Sequence, residues 1–318
     1  QFFHRDIFLP MDGSLFQRHS GSFAQAADGG KGQAHFAVLH HILAGIALAQ
    51  FDGQELAAVL KTHPEYLGER HKGENTLPIL IKFIDARQDL SIQVHPNDEL
   101  AWERHQSKGK TEMWYIVDAE KNASLVLGFN QEIDKATYFQ ALHQNKLMDL
   151  LNVQKVKKGE SFFIPAGLVH AIGKGCLIAE IQQTSDITYR IYDYNRKDAN
   201  GNTRELHTDL ATDVIDYSYQ PQHRVNYTPQ NNQSTRLVKC PYFTTNLLVF
   251  DRDIEKEYVH LDSFVIYMCL QGKFTITTGE CEPVLVNKGE TVLIPACFKN
   301  LTLYPDDITQ ILEIYVEE

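Results

Sequence analysis

The pattern of apolar and polar positions divides this chain into short blocks, most of which read as strands. Residues 76–130 open with the apolar, β-branched run LPILIKFIDARQDLSI and continue, after the polar stretch PNDELAWERHQSKGK, with MWYIV, so strands are expected on either side of a loop. Over QEIDKATYFQALHQNKLMDLLNVQKV the period changes, and Tyr138, Leu142, Leu147 and Leu151 fall on one helical face. Strands resume at ESFFIPA, CLIAEIQQ and ITYRIYDYNR. Upstream, GQELAAVLKTHPEYLG predicts a short amphipathic helix stopped by Pro64 and Gly68. Residues 1–50 show neither clean alternation nor a helical stripe. There HFAVLHHILAGIALAQF fits a helix or a strand, and His35, His40 and His41 lack a carboxylate or cysteine at ligand spacing.

The stretch SYQPQHRVNYTPQNNQST, 218–235, is rich in Pro, Gln and Asn and poor in aliphatics, which marks a linker. Beyond it FVIYMCLQGKFTITTG and CEPVLVNKGETVLIPACF alternate between turn residues, as in a sandwich or barrel. The expectation is a mainly β protein of two domains, 1–220 with a helical insertion near 131–152, and 236–318. The length of 318 residues admits two domains of ordinary size.

Composition narrows the possible partners. Hydrophobic content of 43% and charged content of 22% are those of a globular protein rather than a disordered one or a fibre. A net charge of −11 argues against a nucleic-acid surface, which concentrates Lys and Arg. No apolar run approaches the roughly 20 residues of a membrane helix, so no membrane partner is expected. Five cysteines without a CxxC pair, and no basic segment leading into an apolar one at the N-terminus, place the chain in a reducing cytoplasm.

The chemistry-bearing residues cluster between 82 and 190. Gln93 and His95 are two apart where a strand is expected and therefore point the same way. Glu112 opens the next strand-like run, and an antiparallel neighbour of the first strand would carry its carboxylate back beside them. Farther on, Gly159, Pro165, Gly167 and His170 have the spacing G-x(5)-P-x-G-x(2)-H. Gly289 and Pro295 repeat the start of this spacing, but Cys297 and Asn300 replace the second Gly and the His.

That spacing resembles the second motif of the cupins, and QVH with a later Glu resembles the first in diverged form. The resemblance implies two cupin-type jelly rolls, the second without a metal site. Two His, a Glu and an amide oxygen form a nitrogen and oxygen set suited to Zn²⁺.

With LIKFIDARQDLSIQVHPND, GKTEMWYI, FFIPAGLVHAI and AEIQQTSDITYRIYDYNR in place, the chain resembles the type I mannose-6-phosphate isomerases of the short bacterial kind. The family's Ile-Trp-Gly-Gly and Gly-Glu-x-Trp stretches are missing; FHRDIFLPMDGSL and GKGQAHFAVLHH stand in their place. The resemblance implies a zinc ion on Gln93, His95, Glu112 and His170, and interconversion of mannose 6-phosphate and fructose 6-phosphate through an enediol. Arg190 matches the family's catalytic Arg, Ser91, Lys82 and Lys110 match its substrate-site residues, and Glu180 and Asp186 are the nearby carboxylates to consider as bases. Two rival readings are a non-catalytic cupin that binds a sugar phosphate and a cupin iron oxygenase; Gln93 as a fourth ligand and the YRIYDYNR stretch speak against the second.

Overall fold

The computed structural model describes residues 56–74, 76–279 and 282–317 together with two strands at 34–37 and 41–42. In chain order the strands are β1 (Ala34–Ala37), β2 (His41–Ile42), β3 (Ile79–Ala86), β4 (Ile92–Val94), β5 (Glu112–Ala119), β6 (Ser124–Phe129), β7 (Leu151–Lys155), β8 (Ser161–Ile164), β9 (His170–Ile172), β10 (Cys176–Gln183) and β11 (Tyr189–Tyr192). They continue as β12 (Ser234–Lys239), β13 (Thr244–Phe250), β14 (Ile254–Glu257), β15 (Val265–Gln271), β16 (Lys273–Thr277), β17 (Val284–Asn287), β18 (Thr291–Ile294), β19 (Asn300–Pro305) and β20 (Thr309–Tyr315). The helices are α1 (Leu56–Thr62), α2 (Asp98–His105), α3 (Lys135–His143), α4 (Leu147–Leu150) and α5 (Thr208–Thr212). Among the described residues no helix is long and apolar enough to cross a membrane.

The described residues form two compact units, one of 34–36 with 80–225, the other of 37, 41–42 and 56–79 with 226–317. In sequence terms 56–79 lie between the two segments of the first unit, yet they cluster with the second. His35 and His41 thus fall in β1 and β2, while the rest of the run 35–51, His40 included, lies outside the described residues.

The first unit is a mainly β jelly roll with sheets ordered β1-β3-β10-β5-β8 and β11-β4-β9-β6-β7. Strand β10 is buried along its whole length and stands third in its sheet, as its near-continuous apolar run CLIAEIQ requires. Between the sheets pack Ile84, Trp114, Ile116, Leu125, Leu127, Phe162 and Ile178. On the outer face of the second sheet, Ile92, Val94, Ala171, Tyr189 and Ile191 meet Tyr138, Leu147 and Ala211 from α3, α4 and α5. The helical periodicity over 131–156 is thus realised as two short helices, and their apolar face covers this sheet. The last residues of that window instead extend as β7.

The stretch expected as a loop after β4 contains α2. Its cap explains the difference: the Asn97 side chain accepts a hydrogen bond from the Leu100 N–H at 3.0 Å. Asp98 and Glu99 occupy the first turn, Arg104 and His105 the last, and Gln106 ends the helix in the left-handed conformation. With a polar, exposed helix the apolar period was absent, so only the cap and the charge order signalled it.

The second unit has sheets β12-β13-β20-β15-β18-β2 and β14-β19-β16-β17. Its core, between the sheets, includes Leu248, Phe250, Tyr267, Phe274, Val286, Val292 and Leu303. As the alternation predicts, FVIYMCLQGKFTITTG forms two short strands, β15 and β16, and the turn between them carries the chain from one sheet to the other.

Candidate metal centre

Strand alternation decides which side chains enter the first roll. Ile92 and Val94 face outward toward the helices, so Gln93 between them faces inward. Gln93 lies opposite Arg190 of β11 on one side and His170 of β9 on the other, so the three form a row on the inner wall. His95 follows β4 directly. Its carbonyl accepts the Gly167 N–H at 2.9 Å, while Gly167 accepts the Asp216 N–H at 2.9 Å. Gly167 has φ +90°, and a Cβ there would sit 3.0 Å from the Val214 carbonyl. This turn gives the G-x(5)-P-x-G-x(2)-H spacing its physical meaning: it seats the start of β9 against the end of β4.

Glu112 arrives by a different route from the one expected. It is the first residue of β5, in the facing sheet, opposite Gln182 of β10 and Ile164 of β8. Its carboxylate crosses the interior rather than coming from an antiparallel neighbour of β4. His95, Glu112 and His170 are all buried, and their ligand-type atoms lie within 4.8 Å of one another.

The hydrogen bonding of these groups tests whether a cation fits. His95 Nδ1 faces the Ile187 carbonyl at 2.9 Å and His170 Nδ1 faces the Leu168 carbonyl at 2.8 Å. A carbonyl only accepts, so both Nδ1 atoms carry the proton and both Nε2 atoms of the neutral rings keep a lone pair. These two lone pairs face each other at 3.1 Å. Glu112 Oε1 lies 3.3 Å from His95 Nε2, and Oε2 lies 4.0 Å from that of His170. Lys110 Nζ is 3.2 Å from Oε1, but neither carboxylate oxygen has a well-directed hydrogen bond among the described residues. The Gln93 amide points at His170 Nε2 at 3.2 Å, and its oxygen occupies the same place after a half-turn. Converging acceptors without protons between them are what a divalent ion needs.

Electrostatics agree. Burial, reinforced by Lys110, pushes His95 down to about 3. Burial likewise lowers His170. Burial alone would raise Glu112, yet Lys110 and the two imidazoles pull its carboxyl well below the ordinary carboxylate range. The set is therefore two neutral imidazoles and one carboxylate near neutral pH.

The other predicted site residues are brought around this centre to different degrees. Lys82, on β3, donates to Glu180 Oε1 at 2.8 Å and to Gln182 Oε1 at 2.6 Å. Burial opposes its charge, but Glu180 and Glu112 outweigh this and raise its pKa. The second oxygen of Glu180 accepts the Trp114 indole N–H at 2.9 Å. Trp114 also stands edge-on to the His170 ring, with centroids 5.4 Å apart. Asp186 is exposed and contributes to the field that raises Lys82. Arg190 donates from Nε to Ser91 Oγ and from a terminal nitrogen to the Glu205 carbonyl, both at 3.2 Å. Trp114 and Gln182 were not singled out from the sequence. The signal was present for Gln182, which is two residues from Glu180 and shares its strand face.

A jelly-roll pair whose first member gathers two imidazoles and a carboxylate in a buried, proton-poor pocket is a cupin equipped to hold a metal ion. The profile of the phosphomannose isomerase type I catalytic domain matches residues 36–142. Mannose-6-phosphate isomerase ManA of Bacillus subtilis is 36% identical over 248 residues, 77% of each chain, and the mannose-6-phosphate isomerase of Streptococcus mutans is 33% identical over 255 residues, 79% of this chain and 78% of that one. The crystal structure of the Bacillus subtilis mannose 6-phosphate isomerase superposes with a TM-score of 0.74 at 29% identity over 82% of each chain. A mutant of the Salmonella typhimurium phosphomannose isomerase, 15% identical over 83% of this chain and 85% of that one, shares the fold with a TM-score of 0.65. The chain belongs to the type I phosphomannose isomerase family.

Proposed function

We propose that this chain is a metal-dependent aldose–ketose isomerase that interconverts mannose 6-phosphate and fructose 6-phosphate. The observation that carries the reading is the convergence of proton-free His95 and His170 nitrogens on the buried Glu112 carboxylate, in a row with Gln93 and Arg190. The names of the relatives supply the substrate. Gln93, His95, Glu112 and His170 would hold one ion, and Zn²⁺ suits this nitrogen and oxygen set. Such an ion supplies Lewis-acid polarisation of the sugar's C1 and C2 oxygens.

The chain's own residues do the rest. Arg190, fixed by Ser91 and the Glu205 carbonyl, presents a permanent charge to the enediolate oxygen. Lys82 and Lys110 supply cations for the phosphate, and Ser91 a hydroxyl. The proton must move between adjacent carbons, which takes a base with accessible lone pairs. Asp186 has them. Glu180, with both oxygens already accepting from Lys82 and Trp114, acts mainly by holding Lys82 in position. The cytoplasmic assignment made from the sequence stays within this proposal, supported by free Cys176, Cys240, Cys269 and Cys297.

A coupled assay on purified, metal-loaded protein tests the reading: mannose 6-phosphate should be converted to fructose 6-phosphate, with activity abolished by chelation and restored by a divalent ion. Stoichiometric metal and tight sugar-phosphate binding without turnover would instead support the non-catalytic alternative.

A further inference from the structure

The second jelly roll repeats one arrangement of the first. In each roll the third strand of one sheet, β10 or β20, carries a buried carboxylate, Glu180 or Glu313. Each stands opposite a fully buried aromatic on the next strand, Trp114 or Tyr267. Each has a lysine ammonium against one oxygen: Lys82 Nζ at 2.8 Å from Glu180, and Lys256 Nζ at 2.6 Å from Glu313. The second roll carries neither the second Gly nor the His of the cupin motif, yet it keeps the buried carboxylate at the same place in the sheet, paired here with a lysine that reaches it from β14 of the facing sheet rather than from a neighbouring strand.

This pair borders a cavity of about 880 Å³ whose lining includes Ser234, Asn246, Lys256, Tyr258, Glu313 and Tyr315. Ser234 Oγ donates to Glu313 Oε2 at 2.8 Å and accepts from Lys256 Nζ at 2.7 Å. Asn246 donates to the same Glu313 oxygen at 3.0 Å and to the Tyr315 hydroxyl at 3.2 Å. Tyr258 donates to the other Glu313 oxygen. A buried ion pair is weak evidence of stabilisation, since apolar residues of like volume commonly serve as well or better. A network this polar, open to a cavity large enough for a ligand, fits recognition better than packing.

The charge around the cavity selects the ligand class. Arg70, Arg236 and Lys256 stand against Glu257, Asp262, Glu313 and Glu317, so the lining is close to neutral. Three of the four acids are already engaged: Glu313 in the network above, Asp262 by the backbone N–H groups of Glu69 and Arg70, each at 2.9 Å, and Glu317 by Thr244 at 2.8 Å and Lys239 at 3.2 Å. With Glu313 saturated by its own donors, the Tyr315 hydroxyl, the Asn246 amide oxygen, the Lys256 ammonium and the Glu257 carboxylate of the lining offer donors and acceptors to vicinal hydroxyls, and the half-buried Tyr315 ring offers apolar surface to C–H groups. We propose that this cavity is a second, non-catalytic binding site for a neutral mono- or disaccharide, distinct in charge from the sugar-phosphate site of the first roll. This proposal does not depend on the isomerase reading.

The test is calorimetric titration of the full, metal-loaded chain with mannose and mannobiose, with gluconate and glucosamine as charged counterparts. Binding of the neutral sugars is expected to weaken at least 10-fold in Lys256→Met and in Glu313→Gln, and to persist in Arg190→Ala. Glu313→Gln preserves shape, and Tyr315→Phe, which removes one hydroxyl from a half-buried ring, serves as a further variant should Lys256→Met fail to fold. Isomerase kcat/KM should be unchanged in Tyr315→Phe. Absence of neutral-sugar binding in the wild type, loss of it in Arg190→Ala with retention in Lys256→Met and Glu313→Gln, or much tighter binding of gluconate or glucosamine would each overturn the proposal.

Discussion

Replacing His170 by Ala separates a metal centre from a merely packed histidine. A ligand that binds only the folded state stabilises it by RT ln(1 + [L]/Kd), about 2.7 kcal/mol at a 100-fold excess over Kd. For a unit spanning 80–225, where 1 kcal/mol moves Tm by roughly 2–4 °C, saturating ion should raise the wild-type melting temperature by about 5–11 °C over the chelated protein. His170→Ala removes one of the two lone pairs that face each other at 3.1 Å. Its ion-dependent rise should fall to about 2 °C or less at the same ion concentration, which corresponds to about 0.5–1 kcal/mol. The loss of a buried ring also destabilises the chelated variant, but each protein is compared with its own chelated form, so that cost cancels. The measurement is differential scanning calorimetry with and without chelator, alongside elemental analysis of metal content. An equal ion-dependent rise in wild type and variant would refute the assignment of His170 as a ligand.

Three further outcomes are expected. Arg190→Ala should lower kcat on the order of 100- to 1000-fold with a small change in KM, because deletion of a preorganised donor removes transition-state stabilisation; Arg190→Lys should rescue poorly for lack of the planar fork, and near-normal kcat with a raised KM in steady-state assays would move Arg190 to substrate binding. Asn97→Ala should cost about 1 kcal/mol in chemical denaturation by removing the cap of α2, and an unchanged midpoint would count against that cap. Burial alone would raise Glu313, but Lys256, Tyr258 and Asn246 hold it below its ordinary value of 4.5. Its contribution is present above that value and disappears as pH falls through the lower folded-state pKa, so the stability gap between wild type and Glu313→Gln should be flat near neutrality and shrink in acid; a gap that widens in acid would reverse the sign.

Much of the architecture could be read from local pattern. The alternation around Gln93, the glycines of the G-x(5)-P-x-G-x(2)-H turn and the apolar helical face of Tyr138 and Leu147 are short-range signals, and each has a direct structural counterpart, whereas Leu151, expected on the same helical face, opens β7. The features that escaped are long-range or lack an apolar period. Glu112 reaches the histidines from the opposite sheet, a relation set by how the roll closes rather than by strand spacing. The partnership of Lys82 with Glu180 and Gln182 spans about a hundred residues, and Trp114 reads in sequence as ordinary core. Residues 56–79 join the second unit although they lie between the two segments of the first, which composition along the chain does not disclose.

The bond from the Gly167 N–H to the His95 carbonyl ties together the two segments that bear the imidazoles, and it does so through backbone alone. The placement of those two rings is therefore tied to the main chain, while Lys82, Ser91, Lys110 and Arg190 around them act through side chains that can be exchanged independently. A lineage can drift in which sugar it prefers without loosening its hold on the ion, so ligand geometry and substrate preference become separately inheritable traits.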